Sequence, residues 1–90
     1  MTETPPLEEL VEFPSTFTFR VVAAAAHDLA DRCAALVSEA VGRAHDALEQ
    51  QPSKNGNYHS VRVAIRVETA DEIRAAYAAL KTVDGVKLLL

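Results

Sequence analysis

Ninety residues carry 13 acids against nine Lys and Arg, a formal net charge of −4. A chain this short folds as one domain with a modest core, which argues against a deep, enclosed active site with its own scaffold. With 49% hydrophobic and 24% charged residues it has an ordinary globular composition. There is no apolar run of membrane-spanning length and no overall basic footprint for nucleic acid.

The charge is unevenly placed. Glu3, Glu8, Glu9 and Glu12 fall in the first twelve residues with no base among them, and the remainder balances nine acids with nine bases. Residues 1–14 therefore read as an acidic N-terminal arm, and residues 15–90 as a single neutral domain behind it. Residues 1–6 show no periodicity. Leu7, Leu10, Val11 and Phe13 interleave with the glutamates, as expected of an arm that docks, and Pro14 ends it. The opening MTETPPLEEL lacks the basic-then-apolar pattern of a signal peptide. One cysteine, Cys33, excludes an internal disulfide and leaves the cytoplasm as the default compartment.

Residues 15–22 predict a strand with Phe17, Phe19 and Val21 to one side and Thr16, Thr18 and Arg20 to the other. An alanine link, 23–26, leads to a helix over 27–41 whose apolar face is Leu29, Cys33, Leu36, Val37 and Ala40. Gly42 suits its C-terminal stop. The composition of 43–51 would permit helix, but the Asn55-Gly56 hairpin signal after it demands a partner strand. A two-residue turn there sets Leu48 opposite Val63, Ala47 opposite Ala64 and Glu49 opposite Arg62. An apolar pair then lands on the core face and an ion pair on the other; Asp46 opposite Ile65 fits poorly.

Residues 58–68 alternate strictly, with Val61, Val63, Ile65 and Val67 as the buried row and Arg62, Ala64, Arg66 and Glu68 as the other. Thr69 and Glu72 form a capping-box start. The helix it opens runs to about residue 82 and buries Ile73, Ala76, Tyr77 and Leu80. Asp84-Gly85 turns the chain into a last strand, 86–90. The fold class is α+β: a ferredoxin-like βαββαβ chain with a four-stranded antiparallel sheet, order 4-1-3-2, and both helices on one face. That arrangement hosts many unrelated functions.

Glu12-Phe13-Pro14 followed by Phe17 and Phe19, the run PSKNGNYHSV over 52–61, and the ending VDGVKLLL over 83–90 resemble the YbeD-like family of small bacterial domains of unknown function. The resemblance covers residues 7–90. It implies similarity in fold to ACT domains, small regulatory modules that bind amino acids or related effectors. ACT domains often place a glycine after the first strand, where backbone approaches ligand; here that place holds Ala23.

Topology brings the end of the first strand, the start of the first helix and the hairpin turn to one end of the sheet. His27, Asp28, Lys54, Asn55, Tyr58 and His59 are the candidate ligand-binding residues there. Free N–H groups at the helix start would favour an anion, so the ligand class is a carboxylate-bearing effector. The same residues also have structural reasons to be present: Asn55 and Gly56 supply turn geometry, and His59 begins the core row. His45 falls at the opposite end from His27 and His59, so the histidines make no metal site. Cys33 sits on the buried helix stripe as a small core residue rather than a nucleophile. No phosphate-binding glycine loop or Ser/His/Asp constellation is evident, so no enzyme, metal or cofactor is expected.

The open sheet face is the second candidate. Arg20, Arg62, Arg66 and Lys87 should lie there with Thr16, Thr18 and Leu89, alongside Glu49 and Glu68. Four bases invite an RNA reading, but RNA-binding sheets stack bases on exposed aromatics, and Phe17 and Phe19 sit on the core row. A solvated face with cross-strand pairs such as Glu49–Arg62, worth about 0.2–1 kcal/mol, is the plain alternative. The acidic arm is complementary to this face, in the same chain or a partner. The expected function is a small regulatory or protein-interaction module, non-enzymatic, whose partner is another protein or a second copy in a homodimer. An ACT-type domain binding an amino-acid or carboxylate effector is the alternative, and RNA binding through the basic face the second alternative.

Overall fold

Alternation along one strand sets the orientation of the whole sheet. In the computed structural model, which describes residues 12–53 and 56–90, Val61, Val63, Ile65 and Val67 are all fully buried, while Arg62 and Arg66 between them are exposed. Six elements follow in order: β1 (Ser15–Ala24), α1 (Leu29–Val41), β2 (Ala47–Pro52), β3 (Tyr58–Val67), α2 (Ala70–Leu80) and β4 (Val86–Leu89). They build one antiparallel sheet in the order β2-β3-β1-β4, the expected order read from the other edge. Both helices cover the face that carries the buried rows, and the fold is the ferredoxin-like βαββαβ arrangement.

The core forms where three apolar stripes meet. Phe19 and Val21 from β1 and the four β3 residues face Leu29, Cys33 and Val37 of α1 and Ile73, Ala76 and Leu80 of α2. Tyr77 stands edge-on to Phe19 with ring centroids 5.1 Å apart, and Phe17 lies 4.8 Å from Phe19, so a small aromatic cluster seats α2 on β1. Phe17, Leu36, Ala40 and Tyr77 pack against the core but are only half-buried. Of the arm's apolar set, Phe13 is half-buried against the core; Leu7, Leu10 and Val11 lie outside the described residues.

The β2–β3 register is the expected one, with Ala47 opposite Ala64, Leu48 opposite Val63 and Glu49 opposite Arg62. Lys54 and Asn55, which include half of the expected Asn-Gly turn, lie outside the described residues. Beside them Gly56 takes φ 74° and donates its N–H to the Ser53 carbonyl at 3.0 Å.

Several boundaries differ from the sequence reading. β1 continues through Ala24, since Ala24 N–H donates to the Gly85 carbonyl at 3.0 Å and keeps the alanine run in the sheet. α1 starts at Leu29, and His27-Asp28 is an exposed turn. β2 starts at Ala47 rather than residue 43: extending it would aim the Asp46 carboxylate at fully buried Ile65, and Asp46 is exposed instead. α2 ends at Leu80, two residues early, where Thr82 Oγ1 donates to the Ala79 carbonyl at 2.6 Å.

The capping box is modified too. Thr69 Oγ1 accepts the Glu72 N–H at 3.3 Å as expected, but the Glu72 carboxylate reaches past the cap residue to the Glu68 N–H at 2.8 Å.

Candidate functional site

Adjacent residues on a strand point to opposite faces, and this divides the hairpin-end candidates. Tyr58 continues the row of Arg62 and Arg66 on the open face, where Lys87 Nζ sits 4.5 Å from its ring centroid. His59 continues the row of Val61 and Val63 on the helix side and is half-buried there. Asp28 is exposed and engaged by Arg32, Nε to Oδ2 at 3.0 Å; that hydrogen bond is the main reason its carboxyl is held below its ordinary value. His27 is exposed on the same turn. Lys54 and Asn55 lie outside the described residues. Of the six candidates, the structure thus sets Tyr58 apart from His59.

What occupies the helix start is Gln50, which the sequence reading did not single out. It lies two positions after Leu48 on β2 and so faces the helices. Its Oε1 accepts the Ala30 N–H at 2.9 Å, and its Nε2 donates to the Ala26 carbonyl at 3.0 Å and also meets His59 Nδ1. One of the free N–H groups that would have welcomed an anion is therefore taken by the chain's own amide. The two backbone partners have opposite polarity, so they fix which way the Gln50 amide points.

A second polar staple closes the other end of the sheet. Arg43, in the loop after α1, donates Nη1 to Glu72 Oε1 at 2.7 Å and Nη2 to Glu72 Oε2 at 3.3 Å. Its Nη1 also donates to the Arg66 carbonyl at 2.9 Å. This fork ties the loop, β3 and α2 together, and neither end of it reads as a binding group.

The open sheet face presents a different picture. Arg20 on β1 lies directly opposite Arg62 on β3, and Arg66 follows opposite Thr16. All three arginines are exposed, and no carboxylate among the described residues pairs with them. The expected Glu49–Arg62 ion pair is not made despite the correct register: Glu49 Oε1 accepts Gln51 Nε2 at 2.8 Å instead. A shallow hollow of about 430 Å³ lies beside Arg62, lined by Thr18, Ala47, Glu49 and Ala64.

Leu89 does not join this face. A register shift between Val22 and Ala23 breaks the alternation of β4, so Leu89 pairs with Val21 and packs on the core while Leu88 pairs with Val22 on the open side. Leu88 is 47% exposed and Leu90, hydrogen-bonded to Arg20 in both directions, is 53% exposed. The open face therefore combines paired arginines with exposed leucines.

Comparison with known proteins places this architecture. The family described as "Protein of unknown function (DUF493)" matches residues 8–90. The chain belongs to this family. UPF0250 protein IL0958 of Idiomarina loihiensis is 38% identical over 84 residues, covering 92% of this chain and 93% of the relative. UPF0250 protein ECA1299 of Pectobacterium atrosepticum is also 38% identical, over 87 residues, with coverage of 93% and 95%. The solution structure of HP0495 from H. pylori superposes with a TM-score of 0.73 at 19% identity, over 99% of this chain and 98% of that one. That likeness is one of fold.

The DUF493 chain thus has its expected family and fold. Among its described residues no group of three or more His, Cys, Asp or Glu is gathered as a metal site, and no helix is long and apolar enough to cross a membrane. Cys33 is free and fully buried, and burial pushes its thiol up to about 11. Arg20 and Arg62 were legible as residues of the open face, because strand alternation places each. Their direct opposition needed the β1–β3 register, which no hairpin turn specifies.

Proposed function

We propose that this protein is a non-enzymatic interaction module that binds another protein through its open sheet face. The observation that carries this reading is the Arg20–Arg62 pair. Like charges directly opposed across two strands destabilise a sheet, so folding gives no reason to hold them there. Binding does, since a pair of guanidinium groups with no carboxylate partner among the described residues is ready to donate to the carboxylates of a partner. Exposed Leu88 and Leu90 beside them add the apolar area that charge pairs alone lack. A cytoplasmic location is the default for a chain with one unpaired cysteine.

The effector reading has less to support it at the hairpin end. Tyr58 and His59 face opposite sides, and Gln50 already holds Ala30 N–H.

A photo-crosslinking residue placed at Thr18 tests the proposal in native cells, with Ala75 on the exposed side of α2 as the control position. A discrete protein adduct is expected from position 18, absent from position 75 and lost when Arg20 and Arg62 are both replaced by Ser. Adducts from position 75 alone would move the interaction to the helix side and overturn the assignment.

A further inference from the structure

Building on that reading of the open face, we infer that the partner is an acidic amphipathic segment of a different protein, with carboxylates interleaved with apolar side chains. The basic groups set the first half of this requirement. Arg20 and Arg62 sit side by side at the centre of the sheet, and Arg66 follows four residues along β3, roughly 13 Å away at the usual strand rise. Carboxylates spaced along one face of a partner segment match such a row, and each arginine fork can take one. The second half comes from β4. Leu88 and Leu90 are the large hydrophobic residues exposed among the described ones, and both flank this basic row. A purely acidic partner would leave them in water; interleaved apolar side chains cover them.

The same groups argue against a second copy docked sheet to sheet. A two-fold interface places the same patch on both sides, so each set of bases would meet the other. Glu49 is the carboxylate set directly opposite Arg62 by the strand register, and Gln51 already holds it. Nucleic acid fits less well for a separate reason. Tyr58 is the aromatic group on this face, its ring is covered by Lys87, and phosphates offer nothing to the leucines.

The full chain titrated with a short peptide alternating Glu with Leu or Ala tests this. The controls are the same peptide with Lys in place of Glu, and a single-stranded oligoribonucleotide. Backbone amide shifts and fluorescence anisotropy are read at low and high salt. The acidic peptide should move the amides of Thr18, Arg20, Arg62, Arg66 and Leu88, and should bind less tightly at high salt. Replacing Arg20 and Arg62 together with Ser should weaken binding roughly fivefold to tenfold, the range that exposed charge pairs allow. Leu88→Ser should weaken it severalfold, while the Lys peptide should leave these amides unmoved.

Tighter binding of the oligoribonucleotide at this face would overturn the partner's chemistry while leaving the face itself assigned. Arginine-dependent self-association in sedimentation would replace the acidic partner with a second copy, and movement of these same amides on deleting residues 1–11 from the monomer would replace it with the chain's own acidic arm, which carries Glu8 and Glu9 among Leu7, Leu10 and Val11. If the acidic peptide leaves these amides unmoved although Thr18 still crosslinks in cells, the acidic partner falls and the interaction face stands. If Thr18 gives no adduct either, both fall.

Discussion

Gln50 shows how much a residue without an evident motif can carry. Its amide satisfies a donor and an acceptor on the approach to α1, some 20 and 24 residues away in sequence. Removing it leaves the part-buried Ala30 N–H without this partner, at about 1–3 kcal/mol, while the Ala26 carbonyl keeps the Leu29 N–H. Gln50→Leu should lower the melting temperature and speed hydrogen exchange at the Ala30 amide; unchanged exchange at Ala30 would show that the bond holds nothing in solution. Cys33 gives a second test at this scale. Burial raises its thiol from 9.0 to about 11, so the folded state keeps the proton that the unfolded state gives up first. The stability this contributes is full below 9.0 and is lost as pH rises through about 11. Cys33→Ala should therefore flatten the loss of stability on the alkaline side, and the native thiol should resist iodoacetamide until the chain unfolds.

At the scale of elements, the entry to β4 and the start of α2 each depend on one geometric requirement. Gly85 takes φ 73°, and a Cβ there would lie 2.8 Å from the Ala24 Cβ. Gly85→Ala combines that clash with a left-handed backbone cost of roughly 1–2 kcal/mol. It should lower the melting temperature and disturb the Ala24 and Val86 amides before those of β2. The α2 start depends on Glu72. The Arg43 hydrogen bond, and then that of the Glu68 N–H, hold its carboxyl below the ordinary 4.5. Folded Glu72 thus binds a proton less readily than unfolded Glu72. Its contribution is full above the unfolded value and is lost as pH falls through the lowered folded one. Glu72→Gln should melt below the wild type at neutral pH and converge with it in strong acid; a gap that stays constant with pH would mean the charge is not what matters.

For the whole molecule, the helix side and the open side of the sheet make opposite demands. Val63 is fully buried in the core, so Val63→Asp should abolish cooperative melting. On the open face, Arg20→Thr or Arg62→Thr removes a like-charge opposition and adds a better strand former, and either should melt at or above the wild-type temperature. A marked fall in melting temperature for both would show that these arginines serve the fold rather than a partner. Much of this two-sidedness is legible in the sequence: strict alternation over 58–67 and the apolar stripe of α1 separate core from surface by residue pattern alone. The β2–β3 register is legible too, because a hairpin signal centred on 55–56 sets Leu48 opposite Val63 and a one-residue slip would turn Leu48 to the other face. The β4 phase is not. VKLLL alternates equally well in either direction, and only the shift opposite Val22 turns Leu89 inward and Leu88 outward.

By itself the sequence determined the buried rows of β1 and β3, which elements form and how β2 meets β3. These follow from periods of two and 3.6 residues and from short-range turn and cap chemistry, all local to the chain. The tertiary structure decided which distant polar groups meet. Gln50 reaches the start of α1, Arg43 grips Glu72 across 29 residues, and Tyr58 parts from His59 across the sheet. It also decided that Arg20 and Arg62 stand directly opposed, because the β1–β3 register is set by how two crossover helices pack on one core and by no turn between the strands.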